Sequence, residues 1–188
     1  MSTKPTIFTG AAVAIITPFT NNQVDYKELG GMIERQIDYN YAIAEEGMRH
    51  SWGANIGSVL KEHYGVGIYS RARYMAAAGS DARMSGCEMP VIIVSGSGNQ
   101  GITASVPVVE YAKELNVSRD QMVRAVLLSD LLTIHLKTGI GRLSAYCGAV
   151  SAGCSAGAAI AYLHGGGFRE IAHTLVNSLA IVSGMICD

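Results

Sequence analysis

Apolar positions change period several times along the chain, and each change marks an element. Ala11 to Thr17 is a short apolar run with Val13, Ile15 and Ile16, closed by Pro18. Leu29, Met32, Ile33 and Ile37 then recur at helical spacing, so residues 1–40 predict a strand followed by a helix. Residues 41–90 are more polar and mostly helical, punctuated by glycines. Val91 to Val94 predicts a buried strand after Pro90, leading into the glycine-rich loop Ser95 to Gly101. From Pro107 onward the pattern is helical. Ser118 and Gln121 form a capping box, and Met122, Val123, Val126, Leu127, Leu131 and Ile134 make one apolar face up to Gly139. Residues 143–163 form a helix of small residues, ended by Gly165 to Gly167, and Ile171, Leu175, Leu179, Val182 and Ile186 mark a last helix. The fold class that follows is mainly α with a small β component: a helical bundle in the C-terminal half and a short strand–helix unit at the N-terminus.

The uncharged run Leu143 to Leu163 is long enough to raise a membrane reading. Its content of Ala, Gly, Ser and Cys argues instead for a helix buried in protein. The row Gly148, Ala152, Ala156 and the pair Gly153, Gly157 set tiny side chains at i, i+4 spacing, which lets neighbouring helices approach closely. No heptad pattern or solenoid repeat is present.

With 188 residues the chain suits one compact core. Hydrophobic residues make up 49% and charged residues 15%, a surface poor enough in charge to predict self-association as a homo-oligomer. Fourteen Lys and Arg against fifteen Asp and Glu leave a net charge of -1, which gives no electrostatic footprint for nucleic acid or anionic lipid. A small metabolite is the partner left open. The first ten residues lack the pattern of a signal peptide, so a cytoplasmic, reducing location is expected. There, Cys87, Cys147, Cys154 and Cys187 read as thiols or metal ligands and not as a disulfide framework.

Two stretches carry family resemblances. Phe8 to Phe19, with Val24-Asp25-Tyr26 and the helix to Ile37, resembles the opening of dihydrodipicolinate synthase, a Schiff-base barrel enzyme. That enzyme's Gly-Thr-Thr-Gly loop, relay tyrosine and strand-borne lysine have no match, and 188 residues are too few for eight β/α units. Over residues 42–188, Met75 to Cys87, Pro90 to Gly101, Lys137 to Val150 and the ending Ser183 to Asp188 resemble the serine dehydratase alpha-chain family, in its cysteine desulfidase-like branch. The expected division is thus a barrel-like opening over 1–40, standing where that family has a Gly-Cys-Thr-Glu-Pro-like segment, and a family domain over 41–188, together pointing to a fragment or a graft. The resemblance implies a pyridoxal-independent ammonia-lyase whose [4Fe-4S] cluster is held by three cysteines with one iron open to substrate.

On that resemblance Cys147, in Tyr-Cys-Gly-Ala, and Cys187, in Ile-Cys-Asp, are the cluster ligands. Antiparallel helices joined at Gly165 to Gly167 would bring these two thiols to one end of a hairpin, with Cys154 two turns further in, facing the middle of the last helix. Cys154 is read as structural, and Cys87 is open. Ser95, Gly96, Ser97, Gly98 and Asn99 offer backbone N–H groups, hydroxyls and an amide as a carboxylate cradle. Lys137 and Arg142 bracket Thr138 to Gly141; either could hold a carboxylate or complement a helix dipole. His135 and Lys137 are the candidate catalytic groups, His135 as base for the α-proton or as a core histidine. His164 and His173 read as structural, and Asp81 and Arg83 as partners of each other. The expected activity is β-elimination of L-serine or L-cysteine to pyruvate and ammonia. The alternatives are a non-catalytic, oligomer-forming fragment and a Schiff-base aldolase.

Overall fold

The structure is a computed structural model that describes residues 13–14, 17–141 and 147–182. Seven helices make up most of it: α1 Tyr26–Arg49, α2 Ile56–Tyr64, α3 Ile68–Met84, α4 Gly98–Glu114, α5 Arg119–Ile140, α6 Gly148–Leu163 and α7 Phe168–Ile181. Four two-residue strands complete it: β1 Val13–Ala14, β2 Phe19–Thr20, β3 Gln23–Val24 and β4 Ile92–Ile93. The mainly α class with a small β component is confirmed. The barrel-like opening yields β1, which pairs in parallel with β4 through Val13 and Ile92, and residues 11, 12, 15 and 16 lie outside the described residues. Helix α1 runs unbroken through position 40.

Helix α4 is the hub. It packs against α1, α3, α5 and α6, and its buried residues point to every side, as a central helix requires. One apolar cluster joins Ile33 and Ile37 of α1, Val108 and Val109 of α4, Met122 and Val126 of α5, and Ala156, Ala159 and Leu163 of α6. A second joins Ile43, Tyr74, Met75, Val91, Ile102 and Val106 across α1, α3 and α4. Glu110, buried on α4, is neutralised by Arg71 of α3 at 2.7 Å and accepts the Tyr41 hydroxyl of α1 at 2.8 Å. A buried charge so paired and hydrogen-bonded fixes three helices relative to one another. Among the described helices none is long and apolar enough to cross a membrane, and α6 is the protein-buried helix its small residues predict, with Ala152 and Ala156 in the core.

Three sequence expectations need correction. Helix α4 starts at Gly98 and not near Pro107, because the Ser97 hydroxyl accepts the Gln100 N–H at 3.2 Å and caps it. Helix α5 is capped by Ser118 as expected, but its buried side is Met122, Ala125, Val126, Ser129, Asp130, Thr133 and Lys137. Leu131 lies on the exposed side. Hydroxyls that bond to backbone carbonyls, Ser129 to Ala104 and Thr133 to Ser129, each at 2.8 Å, let polar residues occupy a helix-facing surface that apolar periodicity does not reveal. Helix α6 begins at Gly148 with Cys147 as its N-cap residue, while residues 142–146 lie outside the described residues.

Asp130 and Gln36 meet where α5 crosses α1, both fully buried, with Gln36 Nε2 donating to Asp130 Oδ1 at 3.0 Å. Asp130 Oδ2 and Gln36 Oε1 are left without partners among the described residues. Burial pushes the carboxyl up to about 8, the Gln36 bond being the weaker, opposing influence. A proton on Oδ2 can donate to Gln36 Oε1, which closes a two-bond acid–amide ring and satisfies both orphan atoms.

Two predictions follow from this packing. A Cβ on Gly101 would land on the Ile92 carbonyl oxygen, so Gly101→Ala should destabilise the protein by about 3 kcal/mol in chemical denaturation. Because the folded-state pKa of Asp130 is raised, the neutral acid supports the fold at low pH and that support is lost as pH rises toward and through about 8. Asp130→Asn keeps both ring bonds without a titrating proton, so its melting temperature should exceed that of the wild type by a margin that widens between about pH 5 and pH 9. A margin independent of pH would contradict the assignment.

Candidate functional site

The predicted cradle forms at the start of α4, but in a tighter shape than a loop over 95–101. Only Ser95, Gly96 and Ser97 precede the helix; Gly98 and Asn99 belong to its first turn. Gln100, which the glycine spacing does not single out, organises the turn. Its Oε1 accepts the Ser95 N–H at 3.0 Å, and its Nε2 donates to Ser95 Oγ at 2.9 Å. With Gln100 N–H taken by Ser97 Oγ, the first-turn N–H groups of Gly98 and Asn99 are those with no acceptor inside the helix.

The position of this turn is set from below. Asn40 of α1 is fully buried; its Nδ2 donates to the Ile92 carbonyl at 3.0 Å and to Ser105 Oγ at 3.1 Å, and its Oδ1 accepts the Ile92 N–H at 2.8 Å. Asn40 therefore ties β4, whose C-terminal end runs into Ser95, to both α1 and α4. Gln36 and Asn40 sit four apart on the apolar face of Ile33 and Ile37, and that interruption of a core stripe is the sequence signal that could have found them.

Helix α6 brings Cys147 to the same end of the bundle. A Cβ on Gly148 would stand 3.4 Å from Gln100 Nε2, so the residue after Cys147 faces the organising amide directly. Val94, Ala104 and Ala152, with Ile134 of α5 against them, form a small apolar cluster beneath this junction. Lys137, one turn after Ile134, is buried on α5, whereas His135 is exposed on the side of α5 turned away from it. Cys147 is half-buried and forms no disulfide.

Other candidates fall elsewhere. Cys154 is buried and lines a cavity of about 340 Å³ with Ile181 and Val182, so it faces the end of α7 and not its middle; burial pushes its thiol pKa up. Gly157 stands against Thr174 and Ser178, which makes α6 and α7 the expected antiparallel hairpin. Cys87 packs on the second apolar cluster. His164 caps α6 and meets the Tyr111 ring edge-on at 6.0 Å, and His173 is exposed. Asp81 and Arg83 do not pair: Asp81 Oδ2 accepts the Ile56 N–H at 2.6 Å at the start of α2, and Arg83 Nη1 donates to Asn99 Oδ1 at 3.2 Å. The predicted ligand Cys187 and the predicted anchor Arg142 lie outside the described residues.

Comparison with known proteins agrees with the motifs. A UPF0597 protein of Desulfitobacterium hafniense is 63% identical over 87% of this chain and 37% of its own length. UPF0597 proteins of Lachnoclostridium phytofermentans and Treponema denticola are 55% and 48% identical, over 94% and 88% of this chain and 42% and 39% of their own lengths. The chain thus spans about two-fifths of the length of these curated relatives. No solved structure matches it. The family model described as serine dehydratase alpha chain matches residues 7–188, and with that span matched the chain belongs to the serine dehydratase alpha-chain family.

Proposed function

We propose that the chain carries part of the active site of an ammonia-lyase that eliminates the β-substituent of L-serine or L-cysteine, forming pyruvate and ammonia, with hydrogen sulfide as the further product from cysteine. The observation that carries this reading is the packing of Gly148, the residue after Cys147 at the start of α6, against the Gln100 amide that organises the turn at the start of α4. The Cys147 thiol is a ligand type that iron takes. The turn beside it offers what an amino-acid carboxylate needs.

The donors fit a [4Fe-4S] cluster as an edge and not as a full set. Among the described residues no group of three or more His, Cys, Asp or Glu could hold a metal. Cys147 would ligate the cluster, Cys187 would join it from beyond Val182, where α7 returns to the start of α6, and a third thiolate would come from elsewhere in the protein. Such a cluster supplies a Lewis acid for the leaving hydroxyl or thiol. Ser95, Ser97 and the Gly98 and Asn99 N–H groups hold the substrate carboxylate at the mouth of the turn. Lys137, buried on α5, is the candidate acceptor of the α-proton, a role its position supports better than the exposed His135. Arg142 would add a cation for the carboxylate.

The test is turnover by the full-length protein prepared without oxygen, read as pyruvate released from L-serine and from L-cysteine. Cys147→Ala and Cys187→Ala should each lower kcat by roughly 100-fold or more while leaving the helical circular-dichroism spectrum intact. Wild-type turnover unaffected by either change would contradict the ligand assignment. A well-folded wild type inert toward both amino acids would leave the non-catalytic scaffold.

A further inference from the structure

Arg83 stands near the C-terminal end of α3, four residues before Cys87, and the expectation that Asp81 neutralises it fails. Its guanidinium lies across the first residue of α4. A Cβ on Gly98 would collide with Arg83 Nε and Cδ, so this approach is open only while position 98 is glycine. Arg83 Nη1 donates to Asn99 Oδ1 at 3.2 Å and reaches Met84 Sδ at 3.3 Å, a weak acceptor. The ion pairs among the described residues involve other cations, so no carboxylate there lies within 4 Å of the Arg83 guanidinium.

That placement sets the cation between two helix ends, the last turn of α3, whose negative end favours it, and the first turn of α4. The N-terminal end of a 17-residue helix carries partial positive charge, and a guanidinium held over it is repelled. An anion at this point would be attracted by both. The first turn of α4 also separates two chemically different sides: Gly98 and Asn99 face the cation of α3, and Gln100 faces Gly148 and the thiol-bearing start of α6.

We propose that Arg83 is the carboxylate anchor of the substrate site, binding the amino acid's carboxylate with its free guanidinium N–H groups together with the first-turn N–H groups of α4. This rests on the lyase reading and deepens it, because it sets the direction of the substrate. With the carboxylate held between Arg83 and α4, the β-substituent points across the turn toward Cys147. The planar fork of a guanidinium matches a carboxylate bidentately, and a lysine ammonium does not. Gly98 is then a positioning residue, conserving the space the guanidinium occupies.

The test uses the full-length protein with three variants, Arg83→Gln, Arg83→Lys and Gly98→Ala. Arg83→Gln should raise KM for L-serine by roughly 10- to 100-fold, the loss of one or two charge-assisted hydrogen bonds, with a much smaller change in kcat and an unchanged visible spectrum. Arg83→Lys should recover only part of this. Gly98→Ala, which keeps the cation and displaces it, should raise KM in the same direction. Independently of turnover, calorimetric binding of L-alanine, which has the carboxylate but no leaving group, should weaken in parallel, and L-alaninamide should bind the wild type no better than Arg83→Gln. Unchanged KM and unchanged L-alanine binding in Arg83→Gln would overturn the anchor. L-alanine binding that depends on Arg83 in a wild type inert toward L-serine and L-cysteine would retain the anchor and overturn the lyase reading.

Discussion

The backbone of Ile92 is the point from which the functional end of the molecule is built. A two-residue strand cannot hold its own position, and β4 is held by the Asn40 side chain, which takes both the N–H and the carbonyl of Ile92 from inside α1. Gly101 presses the first turns of α4 against the same carbonyl, a contact any side chain would prevent. Three chain segments therefore meet at one buried backbone carbonyl. Because α4 is also the hub of the bundle, the clamp transmits the rigidity of the core to the turn at Ser95 to Gln100, where the chemistry is placed. A site pre-positioned by a buried, fully hydrogen-bonded amide needs no reorganisation to receive a ligand.

The bundle divides its polar interior between two tasks. Asn40, Ser105 and Ser129 are satisfied by backbone groups and serve the geometry of packing. Asp130 and Gln36 form a closed pair at the crossing of α1 and α5 whose completeness depends on one proton. The first pattern is insensitive to solution conditions, and the second links stability to pH. Both occupy positions where an aliphatic side chain would pack, so they trade apolar burial for a fixed crossing of helices.

Much of this was legible in the residues. Period and breakers located α1, α5 and α7, the small-residue content of α6 predicted a buried helix in place of a membrane span, and Val91 to Val94 predicted β4. The long motifs identified the family that the comparison shows. What escaped reading was polar. Gln36, Asn40, Ser129, Asp130 and Thr133 lie on buried faces, and apolar period alone places the face of α5 too far toward Leu131. The start of α4 escaped because three glycines within Ser95 to Gly101 suggest a loop, whereas Gly98 and Gly101 are there to admit Arg83 and the Ile92 carbonyl against a helix. The Asp81–Arg83 pairing failed because tertiary partners, Ile56 N–H and Asn99, outcompeted a sequence neighbour.

Residue-resolved hydrogen exchange on the protein and on its Asn40→Ala variant measures the dependence of the site on the clamp most directly. The account predicts that the variant loses protection at Ile92 and through Ser95 to Gly101 by a larger factor than at the core amides of α4 and α5, because the strand and the turn are released while the apolar clusters persist. A uniform loss of protection across all helices, or unchanged protection from Ser95 to Gly101, would contradict it.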